Sequence, residues 1–191
     1  MNKLVTLITG GLSGLKGGMK RMIGDKDRNW TAPEDDHPLN RFFHYSFLNG
    51  RLIGSEHPAA AGRPNEVVRH FVVACGVRTM ITLTSEMYRY GLPELEQYHV
   101  PIGDVPTRDQ VARAVALVAQ HLSRGTAVWV HCQRGIDRTG CVIGSYLAAS
   151  GWPVPEVAEH LGRGLHATEA LRTRARAAFR QVYQRGEDRD D

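Results

Sequence analysis

A short apolar run at residues 126–130, a glycine-containing polar loop and a long apolar segment at 139–149 follow one another directly. The run predicts a buried strand flanked by helices, and the later segment predicts a helix. A loop between such a strand and a helix N-terminus can turn successive backbone N–H groups inward as an anion site, which the helix dipole reinforces. This unit, together with the other strands and helices indicated along the chain, predicts an α/β protein.

The loop at residues 131–140 reads His-Cys-Gln-Arg-Gly-Ile-Asp-Arg-Thr-Gly. We expect Cys132 at the bottom of the anion site, where the field that attracts phosphate also favours a thiolate, the nucleophilic form. Arg138 can fold back and hold two phosphate oxygens through its planar guanidinium. Gly135 allows a tight turn of the backbone. The predicted phosphate-binding residues are Gln133, Arg134, Gly135, Ile136, Asp137 and Arg138.

The order His131-Cys132, five residues, then Arg138-Thr139 and Gly140 resembles the H-C-x5-R-[ST] signature of the cysteine-based protein tyrosine phosphatase superfamily, in its dual-specificity-like branch. The resemblance implies that Cys132 is the nucleophile and forms a phosphocysteine intermediate, while Arg138 binds phosphate and stabilises the transition state. It further implies that Thr139 hydrogen-bonds the thiolate and that His131 orders the loop through hydrogen bonds to backbone. It implies no metal and no other cofactor.

Members of this superfamily need a general acid upstream of the signature, and Asp104 is the candidate, 28 residues before Cys132. Asp109 is the rival, but the role of a helix cap explains it without catalysis. Asp137 leaves three alternatives open: an alternative acid, a carboxylate that orients Arg138, or a residue that only stabilises the loop.

The resemblance and the pattern of elements together predict a single α/β domain with a central, mostly parallel sheet of about five strands flanked by helices. Expected elements are a β-hairpin at 43–53 with a two-residue Asn49-Gly50 turn, strands at 78–83, 98–102 and 126–130, and helices at 64–75, 109–124, 139–149, 153–161 and 168–184. The predicted organisation is a basic, glycine-interrupted amphipathic arm at 1–30, a linker at 31–38, the phosphatase domain at 39–184 and a charged tail at 185–191.

The net charge of +4 lies in residues 1–30, which hold all four lysines and two arginines against two aspartates. The rest of the chain is balanced, which argues against nucleic-acid binding. The arm is interpreted either as a contact with a membrane surface or an acidic partner, or as a frayed terminus or a helix packed on the domain. On the last helix, Arg172, Arg176 and Arg180 form a basic stripe, which is more typical of a solvated face.

The three cysteines are too few for a disulfide framework, and no secretory signal or membrane-spanning run is recognised, which predicts a cytoplasmic protein. Cys75 and Cys141 are interpreted as core residues, with a protective disulfide to Cys132 left open.

The leading hypothesis is phosphomonoester hydrolysis on protein phosphotyrosine, with phosphoserine and phosphothreonine left open. The alternative is a phosphoinositide or other small phosphoester substrate at a membrane surface. A more remote alternative is a phosphate-binding module without catalysis.

Overall fold

A computed structural model describes residues 43–48, 50–61, 64–161 and 169–187. The strands are β1 (Phe43–Phe47), β2 (Leu52–Ser55), β3 (Val77–Thr82), β4 (Glu96–His99) and β5 (Ala127–His131). The helices are α1 (Pro64–Ala74), α2 (Arg108–Ser123), α3 (Asp137–Ala149), α4 (Val154–Leu161) and α5 (Glu169–Glu187), and a short 3-10 helix covers Pro58–Ala61.

The five strands form one sheet in the order β1-β2-β5-β3-β4. Four of them, β2, β5, β3 and β4, are parallel, and β1 is an antiparallel edge strand. This confirms the predicted α/β class and the mostly parallel sheet. β5 lies in the centre of the sheet and is buried along its whole length, so the loop that follows it starts from a fully enclosed strand.

Alternate residues of β5 face two different hydrophobic clusters. Val128 and Val130 belong to the larger cluster, which includes residues of α2 to α5. Trp129 faces the opposite side, where its ring stacks on Phe71 of α1 with centroids 4.2 Å apart. Both faces of the sheet are therefore covered, as parallel strands require.

Helices α3 and α5 approach each other closely at Gly144 in α3. A Cβ at this position would lie 2.8 Å from Phe179 Cδ2 of α5 and 2.8 Å from Leu161 Cδ1 of α4. Phe179 and its neighbour on the same helix, Ala175, are fully buried. The absence of a side chain at Gly144 thus allows α5 to lie directly against α3.

The β1–β2 hairpin agrees with the predicted turn, because Phe47 pairs with Leu52 and Arg51 N donates to Leu48 O at 3.2 Å. One local prediction, at the start of α2, is wrong. The N-cap of α2 is Thr107, whose hydroxyl accepts from the Gln110 N–H while the Gln110 side chain accepts from the Thr107 N–H. This reciprocal pair satisfies two free N–H groups, and Asp109 lies exposed in the first turn instead of capping the helix.

Several boundaries also differ from the prediction. β4 begins two residues earlier than predicted and ends at His99, and α3 begins at Asp137, two residues before the predicted start. α5 continues through residues 185–187, which were predicted to belong to a charged tail. The arm at 1–30 and the linker at 31–38 lie outside the described residues, so those two assignments stay predictions.

Candidate active site

The loop at residues 132–136 joins the end of β5 to the start of α3 at the carboxyl edge of the sheet. Cys132 is 2% exposed, whereas Gln133 and Arg134 point outward and are exposed. The helix starts with a hydrogen bond from Gly140 N to Ile136 O of 2.8 Å. Cys132 therefore lies just before a helix N-terminus, where backbone N–H groups favour negative charge.

Gly135 fits this loop to the end of β2. Its φ is +67°, and a Cβ would lie closer than 3.0 Å to backbone atoms of both Ser55 and Glu56. The neighbouring backbone makes a second contact, because His57 N donates to Gln133 O at 3.2 Å. Any residue other than glycine would therefore push the loop away from the strand beside it.

His131 ends β5 and lies inside the protein. Its Nε2 is 2.9 Å from Thr82 Oγ1, and its ring meets that of His57 edge-on with centroids 5.1 Å apart. Burial foremost, and then the nearby His57, lowers the pKa of His131 from 6.5 to about 3, against the opposing effect of a backbone hydrogen bond at Cys132. The hydrogen-bonded side chain beside His131 is Thr82, and the predicted role of His131 in ordering the loop stays a prediction.

Asp104 reaches the same site from the segment that follows β4. Hydrogen bonds from Val100 N to Thr82 O (3.0 Å) and from Ile102 N to Leu83 O (3.1 Å) hold this segment along the end of β3. A cavity of about 460 Å³ opens beside it. It is lined by Asp104, Cys132, Gln133, Arg134, Asp137, Arg138 and Arg174.

The cavity brings the predicted acid and nucleophile together across a wide gap in sequence. Asp109, the rival acid, is not among the lining residues. Gly135 and Ile136, both predicted to bind phosphate, are buried and do not line it either. Their contribution to anion binding can therefore come only through the backbone of the loop.

Arg138 connects the signature loop to the segment that carries Asp104. Its Nη1 donates to Ile102 O at 3.3 Å. Thr139 is fully buried, and within the described part of the chain its Oγ1 has no hydrogen-bond partner. The predicted bond from Thr139 to the thiolate therefore stays a prediction.

Sequence reasoning missed Arg174, which lines the cavity from α5. Its Nη2 lies 2.5 Å from Asp137 Oδ2, in an ion pair whose side chains are 58% and 23% exposed respectively. This ion pair bears on the three alternatives left open for Asp137, because the Asp137 carboxylate is bonded to Arg174 of α5. One more arginine on an arginine-rich helix gave no signal that could single it out in the sequence.

The other two cysteines lie outside the cavity lining. Cys141 is fully buried in α3, and burial foremost, followed by the nearby Asp137 and Cys132, raises its pKa to about 12. Burial also raises the pKa of Cys75, which packs against the cluster around Trp129. All three cysteines are free, and the two outside the cavity have the packing expected of structural residues.

Across the described ranges, no group of three or more His, Cys, Asp or Glu side chains is arranged to hold a metal ion. None of the helices described has the length and apolar character needed to cross a bilayer.

The segment that contains this site is similar to known proteins. Residues 61–152, which contain the whole signature, match a family model described as "Polymorphic toxin system, DSP-PTPase phosphatase". The matched segment, 92 of the 191 residues, is similar to the cysteine-based protein tyrosine phosphatase superfamily. Its matches lie in the dual-specificity-like branch of that superfamily.

Sequence similarity to a curated relative extends over much of the chain. The CDC14 tyrosine-protein phosphatase homologue of Schizosaccharomyces pombe is 29% identical over 133 residues, which are 65% of this chain and 23% of the relative. The chain thus spans about a quarter of that protein.

Two solved structures share the superfamily fold. Tk-PTP in its active form has a TM-score of 0.55 at 23% identity, covering 75% of this chain and 97% of that one. PTPMT1 in complex with PI(5)P has a TM-score of 0.54 at 18% identity, covering 75% and 98%.

Proposed function

We propose that this protein hydrolyses phosphomonoesters through a Cys132 thiolate, with protein phosphotyrosine as its leading substrate and phosphoserine and phosphothreonine as further ones. The observation that carries the proposal is that Cys132, Arg138 and Asp104 line the same cavity. These three residues supply a nucleophile, a bidentate anion ligand and a general acid, the minimum set for covalent phosphoryl transfer.

In the first step the Cys132 thiolate attacks phosphorus and an S–P bond forms as the ester P–O bond breaks. Arg138 and the N–H groups of the loop hold the phosphoryl oxygens, where negative charge is concentrated. Asp104 donates its proton to the leaving oxygen, so the product leaves as a neutral alcohol or phenol.

In the second step a water molecule attacks the phosphocysteine. The Asp104 carboxylate takes a proton from this water, the S–P bond breaks, and the thiolate is regenerated as inorganic phosphate forms. The buried Thr139 hydroxyl is free to donate to the departing sulfur. His131 keeps the loop in place and takes no part in proton transfer, because its low pKa leaves it neutral at physiological pH.

Phosphate release from p-nitrophenyl phosphate and phenyl phosphate tests this mechanism. We expect Cys132→Ser to abolish turnover and Asp104→Asn to slow it by about 10²–10⁴-fold on phenyl phosphate. The loss should be smaller on p-nitrophenyl phosphate, since its better leaving group needs the proton less. Asp109→Asn is the matched control and should keep wild-type activity, with or without a chelator.

Other outcomes would redirect the proposal. Full activity of Asp104→Asn, together with loss in Asp137→Asn, would move the acid to Asp137. A silent wild type that still binds phosphate would favour a phosphate-binding module without catalysis.

A second candidate function is hydrolysis of a phosphoinositide or another small phosphoester. It is favoured by the solved PTPMT1 complex with PI(5)P, which shares the fold, and by the cavity's arginines beyond Arg138. For this second function we propose a cytoplasmic protein that contacts a membrane through residues 1–30. Rates on phosphopeptides and on phosphoinositide vesicles, with and without residues 1–30, separate the two candidates. A preference for vesicles that survives deletion of 1–30 would support the substrate but contradict the role of the arm.

A further inference from the structure

The cavity is lined by two more arginines than the proposed chemistry uses, alongside Asp104 and Asp137. Arg134, Arg138 and Arg174 all line it, and the proposed chemistry uses Arg138 alone. Arg174 comes from α5, which lies outside the signature at residues 131–140. The packing of Phe179 beside Gly144 of α3 holds this part of α5 in place, and Ala175 one turn earlier is also buried.

The hydrogen bonding of Asp137, the partner of Arg174, is incomplete within the described residues. Asp137 Oδ2 accepts from Arg174, but Asp137 Oδ1 is buried and has no hydrogen-bond partner in the described part of the chain. The Arg174 side chain is 58% exposed, so much of the guanidinium remains accessible from the cavity. An exposed pair of this kind contributes little stability, and another anion can compete for the arginine.

We propose that Arg174 binds a second phosphate group of the substrate while Cys132 and Arg138 hold the phosphate that is cleaved. The second group takes the place of Asp137 beside Arg174, so Asp137 weakens the binding of anions at this position. The favoured substrates are phosphomonoesters that carry another phosphate nearby, whether on a small molecule, a lipid headgroup or a peptide. This inference rests on the proposed function and names a substrate class for the same site.

A purely structural role for the ion pair makes a different prediction. If the pair only fastens α5 to the loop, removing either partner should have the same effect. If Arg174 binds the substrate, removing Arg174 should weaken binding of a second phosphate, whereas removing Asp137 should strengthen it. The sign of the Asp137 effect therefore separates the two roles.

Calorimetric titration with inorganic phosphate and with pyrophosphate measures this without turnover, on full-length Cys132→Ser protein in metal-free buffer. The quantity compared is the ratio of the two dissociation constants. We expect Arg174→Gln to reduce the preference for pyrophosphate about three- to fivefold. Asp137→Asn should increase that preference, and Arg180→Gln, an exposed arginine of the same helix, should leave it unchanged.

The outcomes keep the inference distinct from the function on which it rests. Shifts of the same sign in Arg174→Gln and Asp137→Asn, or no preference for pyrophosphate in the parent, would overturn the role of Arg174 alone. Failure of every variant to bind inorganic phosphate, with unchanged circular dichroism, would contradict the phosphate site itself. Among substrates, inositol bisphosphates, phosphoinositide vesicles and doubly phosphorylated peptides then identify the source of the second phosphate.

Discussion

Replacement of Gly135 by alanine adds one methyl group where the signature loop touches the end of β2. Two costs arise from the structure. The φ of +67° is left-handed, which costs a residue with a Cβ about 1–2 kcal/mol. The new Cβ also overlaps backbone atoms of Ser55 and Glu56, which cannot rotate away as a side chain can, and overpacking of this kind costs about 1–3 kcal/mol.

We therefore expect Gly135→Ala to lower the free energy of unfolding by about 2–5 kcal/mol, measured by urea denaturation followed by circular dichroism. Gly76→Ala is the matched control, because Gly76 has a φ of +64° with no atom within 4 Å of the added Cβ. It should lose only the conformational part, about 1–2 kcal/mol.

The activity of Gly135→Ala should fall further than its stability explains, because relief of the overlap moves the loop relative to Cys132. Phosphate release is measured well below the urea midpoint, where the variant is folded. Equal losses of stability in the two alanine variants, with full activity in Gly135→Ala, would refute the argument that the loop is fitted to β2.

Three further predictions concern other parts of the fold. Because the pKa of His131 is about 3 in the folded protein and near 6.5 when unfolded, the unfolded chain takes up the proton first as the pH falls. Stability should therefore be complete above about pH 6.5 and decrease towards pH 3 by up to about 1.4 kcal/mol per pH unit, and urea midpoints across this range should show a flatter slope in His131→Gln. Thr107→Ala should cost about 1 kcal/mol in urea unfolding and Asp109→Ala clearly less, and the reverse order would restore Asp109 as the cap. Gly144→Val should destabilise the protein by about 1–3 kcal/mol through overlap with Phe179, and an unchanged thermal midpoint would contradict the close approach of α3 and α5.

Local sequence information was sufficient where neighbours in the chain determine the structure. The apolar run before His131 and the apolar pattern after Arg138 predicted the strand, loop and helix, because both elements are buried in the core. Asp104 was found through its spacing from Cys132, and the cavity contains both residues. The error at Asp109 was avoidable, since Thr107 followed three residues later by Gln110 has the form of a capping box.

The part that could not be predicted depends on packing between distant segments. Arg174 reaches the cavity only because α5 lies against α3 at Gly144, and no pattern within α5 records that contact. The close approach of Gly135 to its neighbours likewise involves the end of β2, about eighty residues earlier in the chain. Tertiary contacts of this kind are invisible to periodicity and to local motifs.

The residues proposed to cleave the substrate and to select it differ in their protection against local opening. Cys132 follows β5, which is hydrogen-bonded to a strand on each side and buried throughout. Arg174 lies on α5, a helix outside the sheet whose described buried side chains include Ala175 and Phe179. Core strands open with nearly the global free energy, whereas peripheral helices detach at much lower cost. Transient release of α5 would leave Cys132 and its loop assembled without Arg174, the proposed ligand of a second phosphate. On warming, the protein should therefore lose its preference for substrates with two phosphates before it loses activity.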